Sequence, residues 1–304
     1  MSEIVSNRSE ILFLYDVKDI NPNGDPLDEN KPRIDEETMQ NLVTDVRLKR
    51  TVRDYLHDFL DKEVFIREVR TEDGNIKTKE DRLKDLNIKS AEDLTNTCID
   101  IRLFGATTAV KPPITLTGPV QFRIGRSLHR VQLIFIKGTT VYPSKDEKGQ
   151  GTFTEMYVLP YSLIGFYGVV NENAGKHTGL KESDVDLLME GLWNGTKNLI
   201  SRSKVGQMPR FLMKVNYNEN NYHIGDLDRH LQLRSEKRDE ELRGTEDYML
   251  DAASLLETLK ENKTKIKSID LALDPRLNIV ADETPIALAE ELTKAGLLVT
   301  KLTY

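Results

Sequence analysis

Residues 10–18 read Glu10-Ile-Leu-Phe-Leu-Tyr-Asp-Val-Lys18. The run is apolar and β-prone, and it has the length of a buried strand. A loop rich in Pro, Gly and Asn follows over 20–33. Asp35 then stands as an N-cap, with Glu36 and Glu37 in the first turn of a helix predicted to run to Leu60. Residues 62–98 are polar and mixed, with a turn signal at Asp73-Gly74, and read as an insertion. Strands are predicted over 118–125, over 131–142 and 152–158 around a tip at 143–151, over 161–171 and over 209–218. A second helix is predicted over 181–199 with Ser183 as its cap, and the tail from 244 reads as mostly helical, interrupted at Pro275 and Pro285. The core order is therefore β-α-β-β-α-β. That is an α+β, ferredoxin-like plan shared with RNA-recognition domains, carrying an insertion after its first helix and a hairpin arm between its second and third strands. Such a fold hosts many activities, so function must be argued from particular side chains.

The chain has 304 residues, room for one large decorated domain or two ordinary ones. With 38% hydrophobic and 31% charged residues it is neither collagen-like nor low in complexity. No stretch approaches the ~20 apolar residues needed to span a bilayer. The first residues, MSEIVSNRSE, lack a signal-peptide apolar region. A single cysteine, Cys98, excludes an intrachain disulfide and any multi-cysteine metal site. A reducing cytoplasm is the expected setting.

The net charge is −7, which alone argues mildly against a polyanionic partner. The charges are segregated, however. Residues 101–145 hold no acid but carry Arg102, Lys111, Arg123, Arg126, Arg130, Lys137 and Lys145. Residues 191–218 also lack acid and carry Lys197, Arg202, Lys204, Arg210 and Lys214. The compensating carboxylates concentrate in 226–261. Acid-free basic windows on an acidic chain point to a local polyanion site on a surface kept soluble elsewhere.

On a helical wheel at ~100° per residue, Met39, Leu42, Val43 and Val46 share one side. Leu48, Val52, Tyr55, Leu56 and Phe59 share nearly the opposite side, so the predicted helix changes its buried face halfway. Lys49, Arg50 and Arg53, with Arg47 in the same segment, lie clear of the later apolar side and could meet one ligand. The alternative is a solvated helix end. Asp19, Asn21, Asn23 and Gly24 match the first half of an EF-hand loop. Position twelve is Asn30 rather than Glu, so a rigid turn whose Asn21 and Asn23 face a phosphate or base is the better reading. In 118–127 the alternation of Val120, Phe122 and Ile124 puts Gln121 and Arg123 on the other face, followed by Arg126 and Ser127. Residues 201–207 form a polar, Gly-containing loop in which Arg202, Lys204 and Gln207 can meet a nucleic-acid backbone. Met208 and Phe211 could stack on bases or belong to the core.

Catalytic motifs are missing: no H-E-x-x-H, no G-x-S-x-G, no P-loop, and no metal-ligand spacing among His57, His129, His177, His223 and His230. Two features keep a nuclease open as an alternative. His129 lies beside Arg126 and Arg130, and Asp25 and Asp28 lie in a loop flanked by basic residues, where they could hold a divalent metal.

Five motifs carry a resemblance: Asn21-Pro-Asn-Gly-Asp-Pro26, Leu42-Val-Thr-Asp-Val-Arg-Leu-Lys-Arg50, Asp100-Ile-Arg-Leu-Phe-Gly-Ala106, Gly118-Pro-Val-Gln-Phe122 with Gly125-Arg-Ser127, and Ser203-Lys-Val-Gly-Gln207. Through them the chain resembles the backbone subunit of type I CRISPR Cascade complexes, closest to the I-B/I-C branch. The resemblance implies an RNA-recognition-like palm with a finger insertion and a thumb hairpin. The palm would take 1–61, 111–125 and 157–225, the finger 62–110 and the thumb 126–156, with 226–304 completing the palm. It implies a non-catalytic scaffold, without a cofactor, that stacks in head-to-tail copies along the guide RNA beside other Cascade subunits. Target DNA would be reached only through pairing with the guide. The family's L-K-R helix holds guide phosphates, which falls on Lys49 and Arg50 with Arg53 beside them. Its basic loop falls on Lys204 and Gln207. The full expected RNA-binding set is Asn21, Asn23, Arg47, Lys49, Arg50, Arg53, Gln121, Arg123, Arg126, Ser127, Arg130, Arg202, Lys204 and Gln207. Related type III subunits cut target RNA, which gives the metal-dependent endoribonuclease as the alternative.

Overall fold

A computed structural model describes residues 3–108, 113–139 and 153–304. Lys111, Lys145 and the hairpin tip at 143–151 lie outside them. Strand β1 (Ser9–Ile20) is buried without a break from Ser9 to Val17, the pattern of a strand covered on both faces. Strands β2 (Gly24–Asp25) and β3 (Lys31–Pro32) close the following loop into a small ribbon.

The next element is a strand, not the helix predicted after Asp35. Strand β4 (Gln40–Val43) pairs antiparallel with residues 125–130, and α1 (Asp45–Asp58) starts only after it, capped by Thr44. Asp35 instead accepts from the backbone N–H groups of Glu37 and Thr38 in a turn, and Met39 has φ +56°, which no helix allows. The change of apolar side on the wheel marks this switch from strand to helix.

The insertion builds a small core of its own. Helices α2 (Lys79–Asp85) and α3 (Ala91–Thr97) each open with a capping box, Thr78 with Asp81 and Ser90 with Asp93. They are followed by α4 (Ile99–Phe104) and a hairpin of β5 (Gly105–Thr108) and β6 (Ile114–Thr117). Phe65, Leu83, Leu94, Cys98, Ile101 and Ile114 pack together inside. Burial pushes the Cys98 thiol up to about 12, so it is a core residue and not a nucleophile. Where the insertion rejoins the sheet, a Cβ on Gly118 would meet the Phe104 carbonyl carbon at 2.1 Å, so this crossing requires glycine.

The chain continues through β7 (Val120–Phe122), β8 (Gly125–Arg130), β9 (Ile134–Thr139), β10 (Phe153–Val170), α5 (Glu172–Thr178), α6 (Glu182–Lys197) and β11 (Met208–Tyr217). Helix α6 is capped at Lys181 rather than Ser183, with the Lys181 N–H donating to the Asp184 carboxylate at 3.1 Å. The tail is not mostly helical. It holds β12 (Gln232–Arg234), β13 (Met249–Asp251), α7 (Ala253–Glu261), β14 (Ile266–Leu273), β15 (Ile279–Ala281), β16 (Thr284–Pro285), α8 (Leu288–Lys294) and β17 (Val299–Lys301).

Among the described residues the main sheet has nine strands in the order β17-β14-β11-β1-β10-β8-β4, with β7 and β9 also paired to β10. β1 runs antiparallel to both β10 and β11. One face carries Ile11, Phe13, Tyr15 and Val17 against Leu48, Val52 and Leu56 of α1 and Leu188 and Leu192 of α6. The other carries Leu12, Leu14, Phe211 and Met213 against Leu255 and Leu259 of α7 and Leu288 and Leu292 of α8. Each fully buried side chain of this size contributes ~1.5–3 kcal/mol. No described helix is long and apolar enough to cross a membrane.

Phe211 sits opposite Leu14 with no exposed surface, which makes it core rather than a stacking platform. Phe211→Ala is expected to cost ~3–5 kcal/mol in a urea titration.

Candidate nucleic-acid interface

Three segments meet where β1 ends: the 20–33 loop, the start of α1 and the 199–207 loop. The Asn21 N–H donates to the Ser203 carbonyl at 3.1 Å, and Lys204 Nζ donates to the Asn21 carbonyl at 3.2 Å. Gln207 is buried and donates to the Lys204 carbonyl at 3.4 Å, which fixes the loop. Asn23 Oδ1 accepts from both Thr44 N (2.8 Å) and Thr44 Oγ1 (3.1 Å). Thr44 Oγ1 in turn accepts from Arg47 N at 3.2 Å. Asn23 thus holds the cap that sets the helix start and places Arg47.

Arg47 and Lys204 face each other electrostatically. The Lys204 amine titrates below its ordinary range, first because burial strips its water and second because Arg47 repels it. Arg47 is lowered by burial as well. Among the described residues no carboxylate lies within 4.0 Å of either cation. Arg47 bonds only to Thr51 Oγ1, at 3.1 Å, and its Nε has no partner, nor has Asn21 Oδ1. Asp54, already paired with Arg50, attracts Arg47 only from beyond contact distance, so two partly dehydrated cations with no carboxylate in contact favour an anion that brings its own charge. Arg50 stands on the same side of α1 as Arg47 and repels it, and is half exposed with Asp54 at 2.6 Å. Arg202 is exposed in the adjoining loop.

The other expected residues do not join this cluster. Lys49 points to the opposite side of α1, where it pairs with Asp45 (3.0 Å), meets Gln121 Oε1 (3.3 Å) and lies over the Phe104 ring. Arg53 is not a third available cation. It is buried against Asp100 at 2.9 Å, and Asp100 also accepts from Phe65 N and Ile66 N, so the pair ties the insertion to α1. Ser127 is buried, its hydroxyl accepting from Asn41 N and donating to the His129 carbonyl. Arg123, Arg126 and Arg130 each meet a carboxylate: Asp226, Asp35 and Glu240. The shared face predicted for Gln121 and Arg123 ends with β7 at Phe122. Gln121 meets α1, while Arg123 lies over the Tyr167 ring.

The nuclease candidates are also engaged. Asp25 pairs with Arg33 at 2.5 Å and accepts from Leu27 N, while Asp28 pairs with Lys31. His129 is buried, with Nε2 accepting from Leu163 N and Nδ1 against the Arg130 carbonyl, an arrangement for the neutral ring. Burial holds its pKa below the usual range. Sequence reasoning missed Thr44, whose role depends on Asn23 across the loop. It also missed the exposed apolar side chains of the two loops, Leu27, Ile200 and Val205, while Val46, which the wheel set on an apolar side, is exposed.

The family described as CRISPR-associated protein Cas7 matches residues 7–253. A CRISPR-associated protein Cas7 from Haloferax volcanii is 34% identical over 308 residues, spanning 91% of this chain and 90% of its own length. Two solved structures share the fold at low identity. A chain titled as a CRISPR RNA-guided surveillance complex, pre-nicking, superposes with a TM-score of 0.60 at 13% identity, covering 97% of this chain and 96% of that one. A second, titled as a CRISPR RNA-guided surveillance complex, gives 0.54 at 16%, covering 95% and 99%.

The burial difference between the two neighbouring arginines sets their cost. Arg53→Ala strands a buried carboxylate and is expected to destabilise the protein by ~3–5 kcal/mol in chemical denaturation. Arg50→Ala, whose partner is solvated, is expected to cost no more than ~1 kcal/mol.

Proposed function

The chain belongs to the CRISPR-associated protein Cas7 family, and from that premise we propose that it is a guide-RNA-binding backbone subunit of a Cascade surveillance complex, acting as a scaffold and not as a nuclease. The observation that carries this reading is the Arg47–Lys204 pair at the end of β1, two cations with no carboxylate in contact, where two ordered loops and the start of α1 meet. A phosphodiester supplies the missing counter-charge. Phosphate contacts fix register and carry no sequence information, so guides of any sequence can be loaded. Base pairing of the guide with target DNA then supplies specificity.

In this reading β11, β1 and β10 from residue 157 onward, with α1 and α6 behind them, form an RNA-recognition-like palm. The 62–110 segment is the finger, and the 126–156 arm is the thumb. Copies stack head to tail along the guide beside other Cascade subunits in the cytoplasm, with the I-B/I-C branch as the nearest type. Arg50, Arg202 and Lys49 border the path. The pairing of Asp25 with Arg33 and the burial of His129 support the scaffold over the endoribonuclease.

Arg47→Ala combined with Lys204→Ala is expected to weaken binding of unrelated single-stranded RNAs by a similar factor, and to flatten the log-log salt dependence by ~1.4, or ~0.7 per lost phosphate contact. Unchanged affinity and slope in a folded double variant would sink the assignment. RNA incubated with the protein and Mg²⁺ should stay intact.

The depressed Lys204 pKa adds a pH signature. As pH rises, the RNA-free protein loses this proton earlier than an ordinary lysine would, whereas a bound phosphate favours the charged amine. Affinity should therefore fall with rising pH beginning below the ordinary lysine range. In Lys204→Arg the fall should vanish, because the guanidinium stays charged.

A further inference from the structure

Strand β8 presents Arg126 and Arg130 on its solvent side, with Arg123 just before it; along the strand the first two are ~13 Å apart at ~3.3 Å per residue. Each cation is held by acid from a distant part of the chain. Arg123 meets Asp226 at 2.6 Å and Asp228 at 3.6 Å. Arg126 meets Asp35 at 2.8 Å. Arg130 meets Glu240 at 3.5 Å, and its N–H donates to Asp239 at 2.9 Å. A cleft of about 560 Å³ runs beside Arg123 and Arg126, walled by Ile124, Leu128 and Leu231.

These are surface pairs. The three arginine side chains keep 50%, 49% and 59% of their exposure. Solvated pairs of that kind are weak, so a phosphate can replace a carboxylate at little net cost. The Asp226 and Asp35 carboxyls are held below the ordinary carboxylate range by the hydrogen bonds from their arginines, and so both are charged at neutral pH.

We propose that β8 is a second RNA-backbone surface whose arginines are occupied by the chain's own carboxylates in the RNA-free protein, and that RNA engages it by exchanging phosphate for Asp226, Asp228 and Glu240. The inference rests on the RNA-binding reading above and deepens it. The β8 cleft opens on the Leu12 and Leu14 face, opposite α1, so a strand held at Arg47 and Lys204 that continues past the β4 edge meets β8 at raised effective concentration and displaces the carboxylates. A polyanion meeting β8 alone must compete with them from bulk solution. The acids thus act as a specificity filter against stray polyanions, and the acidic 226–241 segment gains a role beyond solubility.

The test is the triple variant Asp226→Asn, Asp228→Asn, Glu240→Gln, in which two arginines are released while Asp35 keeps its turn. Binding of two unrelated spacer-length single-stranded RNAs is titrated against salt, with melting temperature as the fold control. The expected result is tighter binding at an unchanged log-log slope, since the same phosphates are met once the competing carboxylates are gone. Adding Arg123→Ala and Arg130→Ala should abolish the gain and flatten the slope by ~1.4, at ~0.7 per lost contact. A charge-matched variant, Glu257→Gln, Glu261→Gln, Glu290→Gln, should not reproduce the gain. Unchanged affinity in the triple variant overturns the proposal, and so does a gain that the charge-matched variant reproduces or that persists without the two arginines. The Arg47/Lys204 double variant, titrated alongside, reports separately on the underlying RNA-binding reading.

Discussion

The whole arrangement depends on β1 being covered on both faces. Its Ile11, Phe13 and Tyr15 are sealed by α1 and α6, and its Leu12 and Leu14 by the layer that residues 227–297 build. An RNA-recognition sheet usually offers one open face for base stacking. Here no such face remains around β1, and the open positions are the ends and edge of the sheet. Two buried carboxylates on β1 hold the covering layer in place. Glu10 accepts from the Tyr167 and Tyr217 hydroxyls and from Ile224 N and Gly225 N. Asp16 accepts from Arg210 and Tyr161, and Arg210 reaches on to Asp274. Buried charges are tolerated only when so fully bonded. The same bonds fix which side of the sheet is unavailable to RNA.

A scaffold that leaves bases readable gains from this geometry. Around β1 no sheet face is left for bases to stack on. The cations of the chain then divide by their partners. Arg53 and Arg210 are structural, each sealed with acid in the interior. Arg123, Arg126 and Arg130 are paired but solvated. Arg47 and Lys204 are partly dehydrated and unpaired, which is the costly state that a phosphate relieves.

What could be read from the sequence follows the range of the interactions involved. β1, β11 and α6 are long, strongly patterned segments, and their existence and type were legible, whereas β10 was read as two strands, 152–158 and 161–171, though it runs unbroken over Phe153–Val170. The start of α1 was not, because Gln40–Val43 becomes a strand only through pairing with residues 125–130. The two apolar sides on the wheel were the visible trace of that strand. The tail misled for the same reason. Its Leu-rich helices 253–261 and 288–294 are local signals, whereas β14 and β17 owe their form to lying beside β11 at the sheet edge. Among the site residues, charge and loop position singled out Lys204, which the structure sets within electrostatic reach of Arg47. They could not show that Arg53 has Asp100 as its partner or that Ser127 is buried, since both facts depend on residues far away in sequence or on the opposite sheet face.

The motif that carries most of the family resemblance serves mainly as a bracket. In Asn21-Pro-Asn-Gly-Asp-Pro26 the Asn21 backbone binds the 199–207 loop, and its Nδ2 closes the turn onto the Asn30 carbonyl. Asn23 holds Thr44, and Asp25 holds Arg33 and Leu27 N. Nearly every polar group in the stretch is thus spent inside the chain, Asn21 Oδ1 excepted. Its residue types are dictated by turn geometry and by the two elements it must hold together, the start of α1 and the Lys204 loop. The side chains that can meet a phosphate sit on those two elements. A constrained motif beside a binding site therefore marks where the site is assembled, and the charge that does the binding has to be sought on what the motif positions.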